Sequence, residues 1–410
     1  MEFDLELAKP NYRGRSIVNL MASIKTAFGV KSKGLSHGPG RTPGKELLEQ
    51  YEHLDGLATE RIKDAKRVVL LVIDGLGADL LQAFSSRPGA IGCLQANLHS
   101  RMTSVYPPTT ASAITTFMSG QAPQQHGLTG WFMNFREIGA TTAVLPFSPR
   151  YGRGSLSDQG VNIADLVDCE SLASVLPVSS EMLLPEEIAN SAFSQHVGAG
   201  AKRIPYSGIE GFIDGLKTFN TSVDGQRYMY AYWSQFDHLC HIHGPSDERV
   251  FEHFLSLEQA VCPLLDEMAN QGTCLLITAD HGFLDSGPNE RINLEEHPAL
   301  KDMLAMPLFG EPRSAYCIVR KGCDDEFEDY VRSELSHAVN LVPSQELIKQ
   351  NWFGLGTPHP ELAARTGDYT LQMKERFTVR DELTSERSFD LLGMHGGITA
   401  AEQWVPLIVV

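Results

Sequence analysis

Three times in this chain an apolar run ends in aspartate: VVLLVI before Asp74, YAYWSQF before Asp237 and CLLITA before Asp280. Runs this short, rich in β-branched and aromatic residues, read as strands of a sheet covered on both faces. Helical stretches lie between and around them. Ser16–Ala27 and Asp79–Phe84 read as helical, and Thr109–Ser119 stops at Gly120, a natural C-terminal glycine. Asp247–Ala269 reads as an amphipathic helix with Ser246 as its N-cap and Pro263 as a kink or break. WVPLIVV at 404–410 supplies a last strand. The alternation predicts an α/β fold, a doubly wound and mostly parallel sheet with helices on both faces. In such a sheet ligands bind beyond the carboxyl ends of the strands, where the three aspartates would gather.

Residues 296–389 break the rhythm with Pro/Gly turns and an acidic run at 324–329, which reads as a solvated face. The expected organisation is a core of 1–295 plus 390–410, with 296–389 as a smaller inserted subdomain. Lys31–Lys45 reads as a Gly/Pro/Ser-rich loop. With 34 Lys+Arg against 51 Asp+Glu, a net charge of −17 gives no basic footprint for a nucleic-acid polymer. A hydrophobic content of 42% excludes general disorder. Neither a signal peptide nor a membrane span is visible. The seven cysteines include no C-x-x-C pair, so free thiols and a cytoplasmic location are expected. The oligomeric state is not set by the sequence.

Three carboxylates at one sheet edge repel one another unless a cation joins them. The chain supplies histidine there, not lysine. His241 lies one helical turn after Asp237, His281 follows Asp280, and His395 stands in MHGG. Mixed oxygen and nitrogen donors suit divalent metal, zinc first, with Mn2+ or Fe as substitutes. Six ligands exceed the needs of one tetrahedral zinc with an open position and suit two ions. Four positive charges against three aspartates leave one unit, which a hydroxyl bound as alkoxide would balance. Met102–Phe135 contains no Asp, Glu, Lys or Arg, and within it Thr109 and Thr110 open a helix after Pro107-Pro108. A helix N-terminus favours an anion, and threonine needs a metal or base beside it to act as nucleophile.

In this order the motifs DG (Asp74), PPTTASAITTFMSG (Thr110), D-x-x-x-H-x-x-G-P (Asp237, His241, Gly244), ADHG (Asp280, His281) and HGG (His395) resemble the type I phosphodiesterase/nucleotide pyrophosphatase family of the alkaline phosphatase superfamily. The resemblance runs from residue 68 to the C-terminus and is loose over 295–390. It implies an alkaline-phosphatase-like fold and two zinc ions, one on Asp237, His241 and His395, the other on Asp74, Asp280, His281 and the nucleophile. Alignment on MSG makes Thr110 that nucleophile, with Thr109 as the alternative. It further implies a covalent phospho-threonine and a small phosphate-ester substrate; the lack of a visible span adds the expectation of no membrane partner. Many nucleotide-cleaving members carry asparagine three residues after the nucleophile, where this chain has Ala113.

Other readings weigh against these. DGLG is not a dinucleotide loop, because the third glycine position is Leu80. No C/S-x-P-x-R frame of a sulfatase surrounds Thr110. A phosphonate hydrolase or phosphomonoesterase would use the same donors, and a metal-binding protein without turnover is the remaining class. A monoester carries about one more negative charge and commonly needs an Arg or Lys clamp. The segment around Thr110 has none, and only Arg101, Arg136 or Arg203 folding in would supply one, so diesters are favoured. His126 reads as a structural histidine. His238 and His243 flank candidates without a ligand role, one of them open to donating to substrate; His359 could reach the site from the inserted segment; and Trp131 and Phe132 read as core or as a stacking surface.

Overall fold

A computed structural model describes residues 4–30, 51–221, 225–383 and 390–410. The Gly/Pro/Ser-rich stretch expected at 31–45 lies outside the described residues. The central sheet has seven strands: β1 (Arg67–Ile73), β2 (Leu98–Thr103), β3 (Ser179–Pro185), β4 (Ala201–Tyr206), β5 (Arg227–Trp233), β6 (Thr273–Thr278) and β7 (Trp404–Val409). Their spatial order is β2-β7-β6-β1-β5-β3-β4. All neighbours run parallel except β7, which is antiparallel to both β6 and β2. Every residue of β1 is buried, as a strand covered on both faces requires. Burying each Val, Leu or Ile there contributes about 1.5–3 kcal/mol.

Five helices matter to the site: α1 (Ile17–Ala27), α2 (Ala78–Ser85), α3 (Thr110–Ser119), α4 (Gln235–His243) and α5 (Glu248–Asn270). In α3 the last residue precedes Gly120 at φ +68, the left-handed C-terminal turn that glycine permits. The N-cap of α5 is Asp247, not Ser246. Asp247 Oδ1 accepts the Arg249 N–H at 2.9 Å, whereas the Ser246 hydroxyl donates to Asp285 Oδ2 at 2.5 Å. Nor does Pro263 break the helix, which runs unbroken for 23 residues. Its apolar stripe, Val250, Phe254, Leu257, Val261, Leu264 and Met268, is buried on both sides of the proline. That burial outweighs a proline cost of about 3 kcal/mol.

A second seven-stranded sheet is antiparallel throughout, ordered 339–343, 369–373, 314–317, 309–311, 132–135, 140–143 and 148–149. Three of its strands therefore come from 132–149, on the core side of the expected boundary at 296. Phe132 pairs with Gly310 to join the two halves. The acidic run forms the start of a helix, Asp324–Glu334. Asp324, Asp325 and Glu326 occupy its first turn, where the dipole favours them, and Phe327 and Val331 face inward.

The expectation of seven free thiols fails at one pair. Cys93 and Cys262 form a disulfide with Cα atoms 6.0 Å apart. They are 169 residues apart in sequence, so only the packing of α5 beside the short helix at 93–96 brings them together. Among the described residues no helix is long and apolar enough to cross a membrane.

Candidate metal centre

Asp74 lies directly after β1, Asp280 two residues after β6, and Asp237 in the first turn of α4, which follows β5. Because β5, β1 and β6 are adjacent and parallel, all three carboxylates meet at one sheet edge. His241 follows Asp237 by one turn of α4, and their side chains approach at 3.5 Å. His395 comes from the turn that leads toward β7. Two donor triads result, Asp237–His241–His395 and Asp74–Asp280–His281, each with its ligand-type atoms within 4.8 Å of one another. A third such group, Cys93–Glu258–Cys262, has both sulfurs in the disulfide.

The two triads touch. His281 Nε2 lies 3.3 Å from Asp74 Oδ1, 3.5 Å from Asp280 Oδ2 and 3.9 Å from Asp237 Oδ1. His395 Nε2 stands 3.2 Å from His241 Nε2. Each imidazole has Nδ1 against a backbone carbonyl: Gly393 O for His241 at 2.8 Å, Gly282 O for His281 at 3.1 Å, Pro108 O for His395 at 3.2 Å. Donating Nδ1–H outward leaves each Nε2 lone pair facing the cluster, the tautomer metal ligation needs. Asp74 Oδ1, Asp237 Oδ1 and Asp280 Oδ2 are buried without a hydrogen bond. Three orphaned carboxylate oxygens and three inward lone pairs fit divalent cations.

The electrostatics agree. Burial pushes Asp74 up to about 6 and Asp280 to about 8. Asp237 rises well above the carboxylate range through burial and then the charges of Asp74 and Asp280. Burial lowers His241 to about 4 and holds His281 and His395 below the usual imidazole range. The cluster thus penalises its own charges and keeps its histidines neutral, as ligands must be.

Local backbone constraints explain the glycines in the motifs. Gly75 has φ +76, and a Cβ there would come within 2.5 Å of the Phe283 ring, which packs edge-on against His241 and His395. Gly396, next to His395, has φ +97, and a Cβ would approach Glu311 Cγ at 3.0 Å.

Thr110 is the first residue of α3, and its Oγ1 lies 3.2 Å from His281 Nε2. The Thr109 hydroxyl points elsewhere and donates to Glu311 Oε1 at 2.7 Å. Tyr232, from β5, donates its hydroxyl to Asp74 Oδ2. Neither Glu311 nor Tyr232 stood out in the sequence. Tyr232 lies inside an aromatic strand, and Glu311 lies in the segment without periodicity.

The remaining candidates lie outside the two donor triads. His126 is fully buried, accepts the Leu128 N–H at Nδ1 and contacts the Thr116 hydroxyl. His359 is buried, accepts the Glu361 N–H and packs against Gly127. His238 is exposed and His243 half-buried. Phe132 carries the Arg150 guanidinium on its ring, and Trp131 is 37% exposed. Arg101 bonds Asp79, Arg136 bonds Glu361, and Arg203 lies on β4 at the far end of the sheet.

Residues 68–151 and 157–398 match the model of the family described as type I phosphodiesterase / nucleotide pyrophosphatase. No curated protein matches the chain. Among solved structures, murine ectonucleotide pyrophosphatase / phosphodiesterase 5 superposes with a TM-score of 0.62 at 16% identity, covering 83% of this chain and 87% of that one. An inactive form of the same murine protein, in complex with AMP, gives the same values. Phosphonoacetate hydrolase from Sinorhizobium meliloti 1021, in complex with phosphonoformate, superposes with a TM-score of 0.60 at 14% identity, covering 84% and 90%. These likenesses show a shared alkaline-phosphatase-type fold, and the family match makes the chain a hydrolase that belongs to the type I phosphodiesterase / nucleotide pyrophosphatase family.

Proposed function

We propose that the chain hydrolyses phosphodiester or pyrophosphate bonds of small nucleotide-type substrates, with two divalent ions, zinc first, and Thr110 as nucleophile. The observation that carries this reading is the contrast between the two threonines. Thr110 Oγ1 faces the donor cluster through His281, while the Thr109 hydroxyl is engaged by Glu311. Asp237, His241 and His395 would hold one ion; Asp74, Asp280 and His281 would hold the other. Bound there, the ions would polarise the phosphoryl group and favour loss of the threonine proton.

The chain's own residues do the rest. The first N–H groups of α3 lack partners within the helix, and this end of the helix favours an anion. The Thr110 Oγ1–phosphorus bond forms as the bond to the leaving oxygen breaks, and water then cleaves the phospho-threonine. Arg101 and Arg136 are tied to Asp79 and Glu361, so neither serves as the clamp a monoester commonly needs. Phosphonate cleavage is the second reading. It is favoured by the comparable fold likeness to phosphonoacetate hydrolase.

The test is turnover of bis-(p-nitrophenyl) phosphate against p-nitrophenyl phosphate by zinc-loaded protein, with a chelated control and Thr110→Ala. A chelator-sensitive preference for the diester, lost in T110A with zinc retained, is the expected result. An unchanged rate in T110A would sink the nucleophile assignment. Silence on both esters with two ions bound would move the reading to phosphonates.

A further inference from the structure

Glu311 ends the strand 309–311 of the second sheet and is 6% exposed. One of its oxygens, Oε1, accepts two donors: the Thr109 hydroxyl at 2.7 Å and the Trp131 backbone N–H at 2.6 Å. On its other side its stem abuts Gly396, the residue after His395. A single side chain thus meets the residue before Thr110, the start of the Trp131 strand and the turn that carries His395.

The state of Thr109 gives this meaning. Thr109 is the N-cap of α3, yet its side chain makes no capping bond to the helix. A threonine in that position ordinarily turns its hydroxyl oxygen onto the N–H of the second or third helical residue, which is worth about 1 kcal/mol. In α3 those residues are Ala111 and Ser112. With its hydroxyl held by a buried carboxylate, Thr109 leaves the N–H groups of these two fully buried residues without a side-chain cap.

We infer that Glu311 is a positioning residue: it holds the Thr109 hydroxyl off the N-terminus of α3, so that the start of the helix keeps the setting in which Thr110 faces the donor cluster. The inference rests on the reading of Thr110 as nucleophile. It gives the second sheet a part in the reaction, through an acceptor and not through its charge. Glutamine in place of Glu311 keeps an oxygen that can accept both bonds, whereas alanine frees the Thr109 hydroxyl to fall back onto α3.

The experiment compares wild type, Glu311→Ala, Glu311→Gln and the double variant Glu311→Ala/Thr109→Ala, all zinc-loaded. It reads kcat and KM on bis-(p-nitrophenyl) phosphate, bound zinc per chain, and binding of inorganic phosphate by calorimetry. E311A should keep its zinc, lose roughly 100-fold in kcat, the scale of a small misplacement of reacting groups, and bind phosphate about 10-fold more weakly, one order of affinity. E311Q should stay within a few-fold of wild type in both. The double variant, with no hydroxyl left to turn back onto the start of α3, should bind phosphate more tightly than E311A. Wild-type values in E311A, a loss in E311Q equal to that in E311A, or a double variant no better than E311A in phosphate binding would each overturn the inference. A wild type that neither turns over the diester nor binds phosphate would overturn the functional reading beneath it instead.

Discussion

His241 Nε2 and His395 Nε2 face each other at 3.2 Å, and both rings give their Nδ1 proton to a backbone carbonyl, Gly393 and Pro108 respectively. Two lone pairs at that distance repel, and a cation that both can ligate removes the repulsion. Zinc should therefore bind at two ions per chain and stabilise the fold. Each ion held at 100 times its dissociation constant adds about 2.7 kcal/mol. Equilibrium dialysis with metal analysis gives the stoichiometry, and melting with and without chelator gives the stabilisation. A melting temperature indifferent to zinc would count against the centre.

The pH dependence of the metal-free protein has a defined sign. Asp280 is raised to about 8 and Asp74 to about 6 by burial, so their contribution to stability is complete below the unfolded carboxylate value and is lost as pH rises through those folded values. His241 is lowered to about 4, so its contribution is complete above about 6.5 and is lost as pH falls toward 4. Between pH 6.5 and 8.5 the raised carboxyls set the trend: the aspartates of the centre, and Glu311, which burial raises to about 7. Over that window the metal-free protein should lose stability as pH rises, while the zinc-loaded protein, with its aspartates neutralised by ligation and only Glu311 still titrating, should lose less. Urea midpoints across the window, with and without chelator, measure this, and parallel curves would refute it.

The aspartates, His241 and His281 were readable because each follows a strand or sits on a helix whose period is plain in the residues around it, whereas His395 was readable only as the HGG turn. Asp74 follows six apolar residues, and Asp237 and His241 are one helical turn apart. The second sheet was not readable. Its strands over 309–317 are three and four residues long, too short for a period, and Gly310 meets Phe132 from a distant part of the chain. Glu311 was therefore invisible as a site residue. The Cys93–Cys262 bond was hidden in the same way, since contact between distant segments leaves no mark in spacing. At Ser246 two adjacent residues could each cap α5, and the demand of Asp285 for a donor decided between them.

Tyr232 should tune the metal affinity. Its hydroxyl donates to Asp74 Oδ2 while the other oxygen, Oδ1, faces His281 unpartnered. Groups that orient a ligand from behind typically change metal affinity or activity by about 10–100-fold. Tyr232→Phe should lower zinc affinity by about that factor and cost about 1–3 kcal/mol, the usual penalty of a buried acceptor left without its donor. Zinc titration against a chelating dye measures the first and chemical denaturation the second. Wild-type zinc affinity in the phenylalanine variant would show that Asp74 needs no such support.

Behind the His395 turn lies a buried ion pair. Arg313 reaches Glu402 through Nε at 2.7 Å and Nη2 at 3.0 Å, and its remaining donors bond the carbonyls of Phe377 and Glu375. Glu402 in turn accepts the Gly397 N–H at 2.7 Å and the Thr399 hydroxyl at 2.6 Å. Both side chains are fully buried. Removing one partner strands the other charge, so Arg313→Ala should cost about 3–5 kcal/mol. Replacing the pair with Arg313→Met and Glu402→Gln removes both charges and keeps an acceptor for Gly397 and Thr399, so it should cost less than the single alanine. The single variant should also loosen zinc at His395, because the turn that positions this ligand rests on Glu402. Denaturant midpoints and zinc titration of the two variants decide the matter. A single variant within about 1 kcal/mol of wild type, the scale of an exposed pair, would mean that the fold bears an unpaired Glu402 without strain on the turn.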